Sequence, residues 1–226
     1  MLRRTVIVGS AFALAAACGF AVSMPVNAAP GGGACQLNGT ASFTPNGPGT
    51  SSTFNYSVNG QLSSCQSNVS GAPTSGAFGV GQQYVESVTI QTPTGPQVVQ
   101  ATYAAPLASG AGAVPVNSCP GGQTSGTAVA TWPDNSTTIV SYTTASAGPA
   151  VNLQGTVVAS VTLNLVSGPA GSPSTYVLSG TNPSFPVNDG VQGAVAFSTS
   201  DPTPCTTSGG LASVTLQGTV GIGSAS

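Results

Sequence analysis

The chain has no histidine and no lysine, and its only two basic residues, Arg3 and Arg4, stand at its start. Charged residues are 3% of 226, so each missing class removes chemistry outright. A serine or cysteine nucleophile needs a neighbouring base, normally histidine or lysine, to take its proton. A phosphate-cradling Gly-Lys-Ser/Thr loop is impossible without lysine. Phosphate backbones are held by cations, so nucleic acid is excluded as a partner. Polybasic attraction to anionic lipid fails for the same reason. No two cysteines have a Cys-x-x-Cys spacing and no histidine can join them, which leaves no zinc cluster.

Four acids remain: Glu86, Asp134, Asp189 and Asp201. Two carboxylates suffice for glycoside hydrolysis, so Glu86 with one aspartate is the one enzymatic route left. Each aspartate has a turn explanation. Asp134 sits in Pro133-Asp134-Asn135-Ser136, Asp189 precedes Gly190 and Asp201 precedes Pro202. No Asp-Thr-Gly and no Asp-x-Asp-x-Asp-Gly loop is present, so neither an aspartic protease nor a calcium loop is indicated. The expectation is a protein that is not an enzyme, with no catalytic residues, no metal and no cofactor.

The N-terminus reads as a cleavable signal peptide. Arg3 and Arg4 precede an apolar run from Thr5 to Val22, and Val26-Asn27-Ala28 offers small residues for cleavage after Ala28. The alternative, lipidation at Cys18, is weakened because the leucine of Leu14-Ala15-Ala16-Ala17 stands one place too early. Cleavage leaves 198 residues (226 minus 28) with four acids and no base, a formal charge of −4. It also leaves four cysteines, Cys35, Cys65, Cys119 and Cys205, an even set expected to form disulfides outside the cell. Cys35 opens one strand and Cys65 lies just past the end of the strand that returns beside it, so those two are expected to pair. Cys119 with Cys205 follows by elimination.

The positive signal is alternation. Val151, Leu153, Val157, Ala159, Val161, Leu163 and Leu165 share one side of an extended strand, and mostly amides and hydroxyls share the other. Gly155 is expected to mark a bulge or bend where that long strand changes partners. Phe54, Tyr56 and Val58 alternate in the same way, as do Tyr84, Glu86, Val88 and Ile90, then Ala212, Val214, Leu216, Val220 and Ile222. Hairpins are expected over 84–103, with a connection longer than the tightest, and over 127–144, turned by Pro-Asp-Asn-Ser. Ala104 to Ser118 reads as a long surface loop.

Apolar residues are 40% of the chain, and a domain near this length buries ~70% of its unfolded surface, so order rather than disorder is expected. About nine strands and no helical period predict an all-β fold, an antiparallel immunoglobulin-like β-sandwich. The expected organisation is a signal peptide over 1–28, a flexible lead-in over 29–34 and one domain over 35–226. A closed barrel is the alternative. An outer-membrane barrel is disfavoured by the lack of aromatic girdles.

Two segments echo each other, Leu153-Gln154-Gly155-Thr156-Val157 and Leu216-Gln217-Gly218-Thr219-Val220, and are read as two similar strands rather than a repeat. With Cys35-Gln36-Leu37-Asn38-Gly39-Thr40-Ala41 and Gly126-Thr127-Ala128…Trp132, this pattern resembles uncharacterised secreted β-rich proteins of actinobacteria. That resemblance implies no activity. Trp132, Tyr84, Tyr103, Tyr142 and Tyr176 could form sugar- or protein-binding surfaces, although aromatics in strands more often build the core. Asn38, Asn55, Asn68 and Asn135 begin Asn-x-Ser/Thr triplets, as a Ser/Thr-rich chain produces by chance. The functional expectation is a secreted, disulfide-stabilised interaction module with an extracellular protein or glycan as partner. Self-association as a coat protein and a two-carboxylate hydrolase are the alternatives.

Overall fold

Alternating apolar and polar residues produce thirteen strands in the computed structural model, which describes residues 32–47, 53–111, 123–147, 150–198 and 211–223. They are β1 (Gly33–Gly47), β2 (Thr53–Ser67), β3 (Gly76–Val80), β4 (Gln83–Thr92), β5 (Gly95–Ala104), β6 (Ala108–Ala111) and β7 (Gln123–Thr131). The rest are β8 (Thr137–Ala147), β9 (Ala150–Val158), β10 (Ser160–Ser167), β11 (Thr175–Ser179), β12 (Gly190–Ser198) and β13 (Leu211–Ile222). All pairings between them are antiparallel.

Eight strands run β1-β13-β12-β9-β8-β7-β3-β2, and β2 pairs back onto β1, so the sheet closes into a barrel. This corrects the sandwich expectation. The apolar faces turn inward on one another instead of meeting a separate facing sheet. Thirteen strands form instead of about nine: among the differences, the run from Val151 to Leu165 divides into β9 and β10, and the presumed loop from Ala104 carries β6. Inside lie Leu37, Val58, Leu62, Val140, Val191 and Leu216, all buried. Outside lie Gln36, Asn38, Thr40, Asn59, Gln61 and Gln154, all exposed. A membrane-spanning barrel has the opposite polarity, apolar outside around a polar lumen.

Closing so few strands requires tight coiling, and inward-facing glycines permit it. A Cβ on Gly39, Gly60, Gly155, Gly193 or Gly218 would lie closer than 3.0 Å to a carbonyl oxygen of the neighbouring strand. The echoed Leu-Gln-Gly-Thr-Val segments are the staves on either side of β12, each with its glycine turned inward.

One stave is interrupted. β3 and β6 share the place between β2 and β7: β3 pairs with Val58–Leu62 and Ala128–Thr131, and β6 with Thr53–Tyr56 and Gln123–Ser125. At the break, the Gln82 side-chain amide donates to the Val58 carbonyl at 2.7 Å. The chain leaves the barrel there to form the β4–β5 hairpin. It leaves again beyond β9, through Ala159 into β10 and β11. The two excursions meet in a four-stranded sheet, β11-β10-β5-β4. Its inner face covers the outside of β7 and β8 and makes a second core from Val129, Ile139, Tyr103, Val161 and Leu163.

Several local expectations change. The long strand exchanges partners at Ala159, not Gly155, because Gly155 is paired on both sides within the barrel. Thr92 pairs with Gly95, so Pro93-Thr94 is a two-residue connection and not a longer one. The presumed loop from Ala104 contains β6, and Ala105 and Ala108 are buried. β1 opens at Gly33, inside the stretch read as a lead-in. The hairpin over 127–144 forms as expected, with the Trp132 amide donating to the Ser136 carbonyl at 2.9 Å.

Candidate functional site: the barrel interior

The two barrel ends differ. At one, Trp132 and Phe185 pack ring to ring, 5.3 Å between centroids, and both are buried. Trp132 Nε1–H donates to Thr138 Oγ1 at 2.9 Å, so the indole's polar atom is satisfied inside the core. The segment carrying Phe185 is tied down by amides of Thr181 and Asn182 donating to the Thr137 carbonyl, and by Asn182 Nδ2 donating to Ser136 Oγ at 2.9 Å. This end is stoppered.

The Cys35–Cys65 disulfide lies near the stoppered end, as expected, with Cα atoms 4.0 Å apart. A β-bulge makes the approach. Ala34 faces Gln66 and Gln36 faces Ser63, so Ser64 and Cys65 together oppose Cys35, and Ser64 takes a left-handed φ of 50°. Cys18, Cys119 and Cys205 lie outside the described residues.

At the other end are the strand termini that lead from β1 to β2, β6 to β7, β8 to β9 and β12 to β13. Here four hydroxyls meet inside the wall. Tyr142 and Tyr56 are 2.8 Å apart, Tyr56 and Thr124 Oγ1 2.7 Å, and Thr124 Oγ1 and Thr144 Oγ1 2.6 Å. Phe43 and Phe54 pack edge to face beside them, with centroids 5.6 Å apart. Between the quartet and the stopper is a cavity of about 140 Å³. Among the described residues no charged side chain lines it, and apart from the four hydroxyl-bearing side chains the described lining is apolar.

Burial pushes the Tyr142 phenol far up, and the neighbouring Tyr56 raises it further. Burial also raises Tyr56, against a lowering by its hydrogen bonds to Thr124 and Tyr142. On the outer sheet, burial and then Glu86 push Tyr84 up to about 12, and the same two causes raise Tyr176. A phenol whose folded pKa is raised contributes stability below its unfolded value, near 10, and loses it as pH climbs above that. The expected result is that Tyr56, Tyr84, Tyr142 and Tyr176 stay protonated past pH 10 in the native protein and gain phenolate absorbance as it unfolds. An alkaline ultraviolet titration followed alongside circular dichroism checks this.

The three described acids stand on three different elements. Glu86 is on β4, Asp134 is in the β7–β8 turn and Asp189 precedes β12, while Asp201 lies outside the described residues. Hydrogen bonds from Ser136, first from its hydroxyl and then from its amide, lower Asp134, and burial raises Asp189. Neither shift involves another acid. Of the aromatics proposed as binding surfaces, Trp132, Tyr103 and Tyr142 are core residues. Tyr84 and Tyr176 border the second core. The polar quartet is not visible in the sequence because its members are far apart in the chain, Tyr56 and Tyr142 by 86 residues. No protein family model, curated protein or solved structure matches this chain.

Proposed function

We propose that the chain is a secreted, disulfide-stabilised binding module that acts without catalysis, outside the cell or at its surface, on an extracellular protein or glycan. The observation that carries this reading is the placement of Glu86, Asp134 and Asp189 on three elements, with no charged side chain among the described residues that line the barrel interior. The even cysteine set remaining after Ala28 supports export, and with it a second bridge, Cys119–Cys205. The resemblance to secreted actinobacterial proteins points the same way.

Self-association is the second reading, favoured by β4. It is a ten-residue edge strand of the smaller sheet, with its Val85 and Val98 of the adjoining β5 exposed on the outer face and no lysine to discourage pairing. One set of measurements separates these readings. The purified protein is expected to release nothing from a panel of glycosides and esters, and to scatter light as a monomer at high concentration. Turnover that disappears in Glu86→Gln or Asp134→Asn overturns the binding reading. Concentration-dependent assembly abolished by Thr89→Lys replaces it with the coat reading.

A further inference from the structure

The hydroxyl quartet does not close its own hydrogen bonding. Four hydroxyls in a row, Tyr142-Tyr56-Thr124-Thr144, carry four protons, and three contacts use three of them. Whichever way the chain of bonds is oriented, one proton is left without an acceptor inside the quartet. Beside it lies an apolar space of about 140 Å³. A water molecule needs two to four polar partners, so water can occupy the quartet's edge but gains nothing along the Val, Leu and Ala walls beyond it. An eight-stranded barrel is about wide enough either to be filled by side chains or to hold one small ligand.

We propose that the barrel interior binds one small, uncharged, mostly apolar molecule of about six to eight non-hydrogen atoms, bearing a single acceptor oxygen, since a dry cavity of about 150 Å³ holds a benzene-sized guest. The ring or chain of the guest fills the cavity, and its carbonyl, ether or hydroxyl oxygen accepts the spare hydroxyl proton. Charge decides against a carboxylate or phosphate guest. The whole chain has only Arg3 and Arg4 as cations, so a buried anion would stay unpaired. Burial keeps Tyr56 and Tyr142 protonated, which makes both donors at any physiological pH. The inference deepens the binding reading and rests on it.

The test is a titration of the purified, methyl-labelled protein with cyclohexanone, benzene and cyclohexanecarboxylate, read by NMR. Cyclohexanone is expected to shift the methyls of Val140, Val195 and Leu216 saturably, and to bind at least ten-fold more tightly than benzene. The carboxylate is expected to leave them unmoved. Ala130→Leu, which fills the cavity, should abolish the cyclohexanone shifts while the Val161 and Leu163 methyls of the second core keep their positions. Should that variant not fold, Ala41→Val serves as the smaller filling. Absence of saturable shifts, equal binding of benzene, binding of the carboxylate, or undiminished binding in the filled barrel overturns the proposal. Turnover in the substrate panel would instead defeat the non-catalytic reading and leave these shifts as they are, so the two failures are distinguishable.

Discussion

Gly218→Ala is expected to cost on the order of 4 kcal/mol, placing one methyl group among the most damaging single changes available to this fold. The added Cβ meets the carbonyl oxygen of Ala194 on β12, with the Val195 Cα and the Ala194 carbonyl carbon immediately behind it, all of them backbone. No side chain can swing aside. The barrel must either open its β12–β13 pairing or widen at that level, and both expose apolar interior. A control is built into the chain. Gly71, with φ +80° and open space around it, should lose only about 1 to 2 kcal/mol as alanine, from backbone strain alone. Denaturant midpoints of the two variants check the contrast. Equal costs would mean that the close approach of β12 and β13 is not what requires glycine.

Replacing both Cys35 and Cys65 by alanine is expected to remove about 3.5 kcal/mol, the chain-entropy value for a loop of roughly 30 residues. The bridge joins residues 30 apart, across β1 and β2, the pair whose contact closes the barrel. Without it the unfolded chain gains freedom, and the β1–β2 seam is left to its ladder hydrogen bonds and to side-chain packing such as Phe43 on Phe54. Cys35 is buried and Cys65 packs against the main core, so the native bridge should resist mild reductant until the protein unfolds. Guanidinium unfolding of the wild type with and without reductant, beside the double variant, measures this. A loss below about 1 kcal/mol would show that the bridge does not constrain the unfolded state.

Much of this fold is legible as period-two alternation. β2, β4 and β13 stand where that pattern is clean, and the Cys35–Cys65 pair follows from one hairpin. Closure is not legible, because alternation tells which face is apolar and not what that face meets. The run from Val151 to Leu165 illustrates this. Its odd-numbered side lines the barrel up to Val157 and the second core from Val161, without a break in period. The partner change at Ala159 therefore leaves no mark. A subtler sign was present in Ala128-Val129-Ala130 and Ile139-Val140. Contiguous apolar residues there reflect strands buried on both faces, one toward the barrel and one toward the smaller sheet. The inward glycines were another, since Gly155 and Gly218 hold the same place in the two echoed staves. The hydroxyl quartet could not be found this way. Its members stand on three strands, β2, β7 and β8, and Tyr56 reaches Thr124 and Tyr142 only across the short β6 between β2 and β7, a pairing that alternation does not reveal.

The barrel is closed only if β1 pairs on both sides, and amide hydrogen exchange along β1 tests that most directly. Successive amides of an antiparallel strand point to opposite neighbours, and β1 is paired with both β2 and β13. Every amide from Leu37 to Ala41 should then exchange slowly, while alternate amides of the edge strand β4 exchange fast. Alternating fast and slow exchange along β1 would show an open sheet with β1 at its edge, and would contradict the barrel.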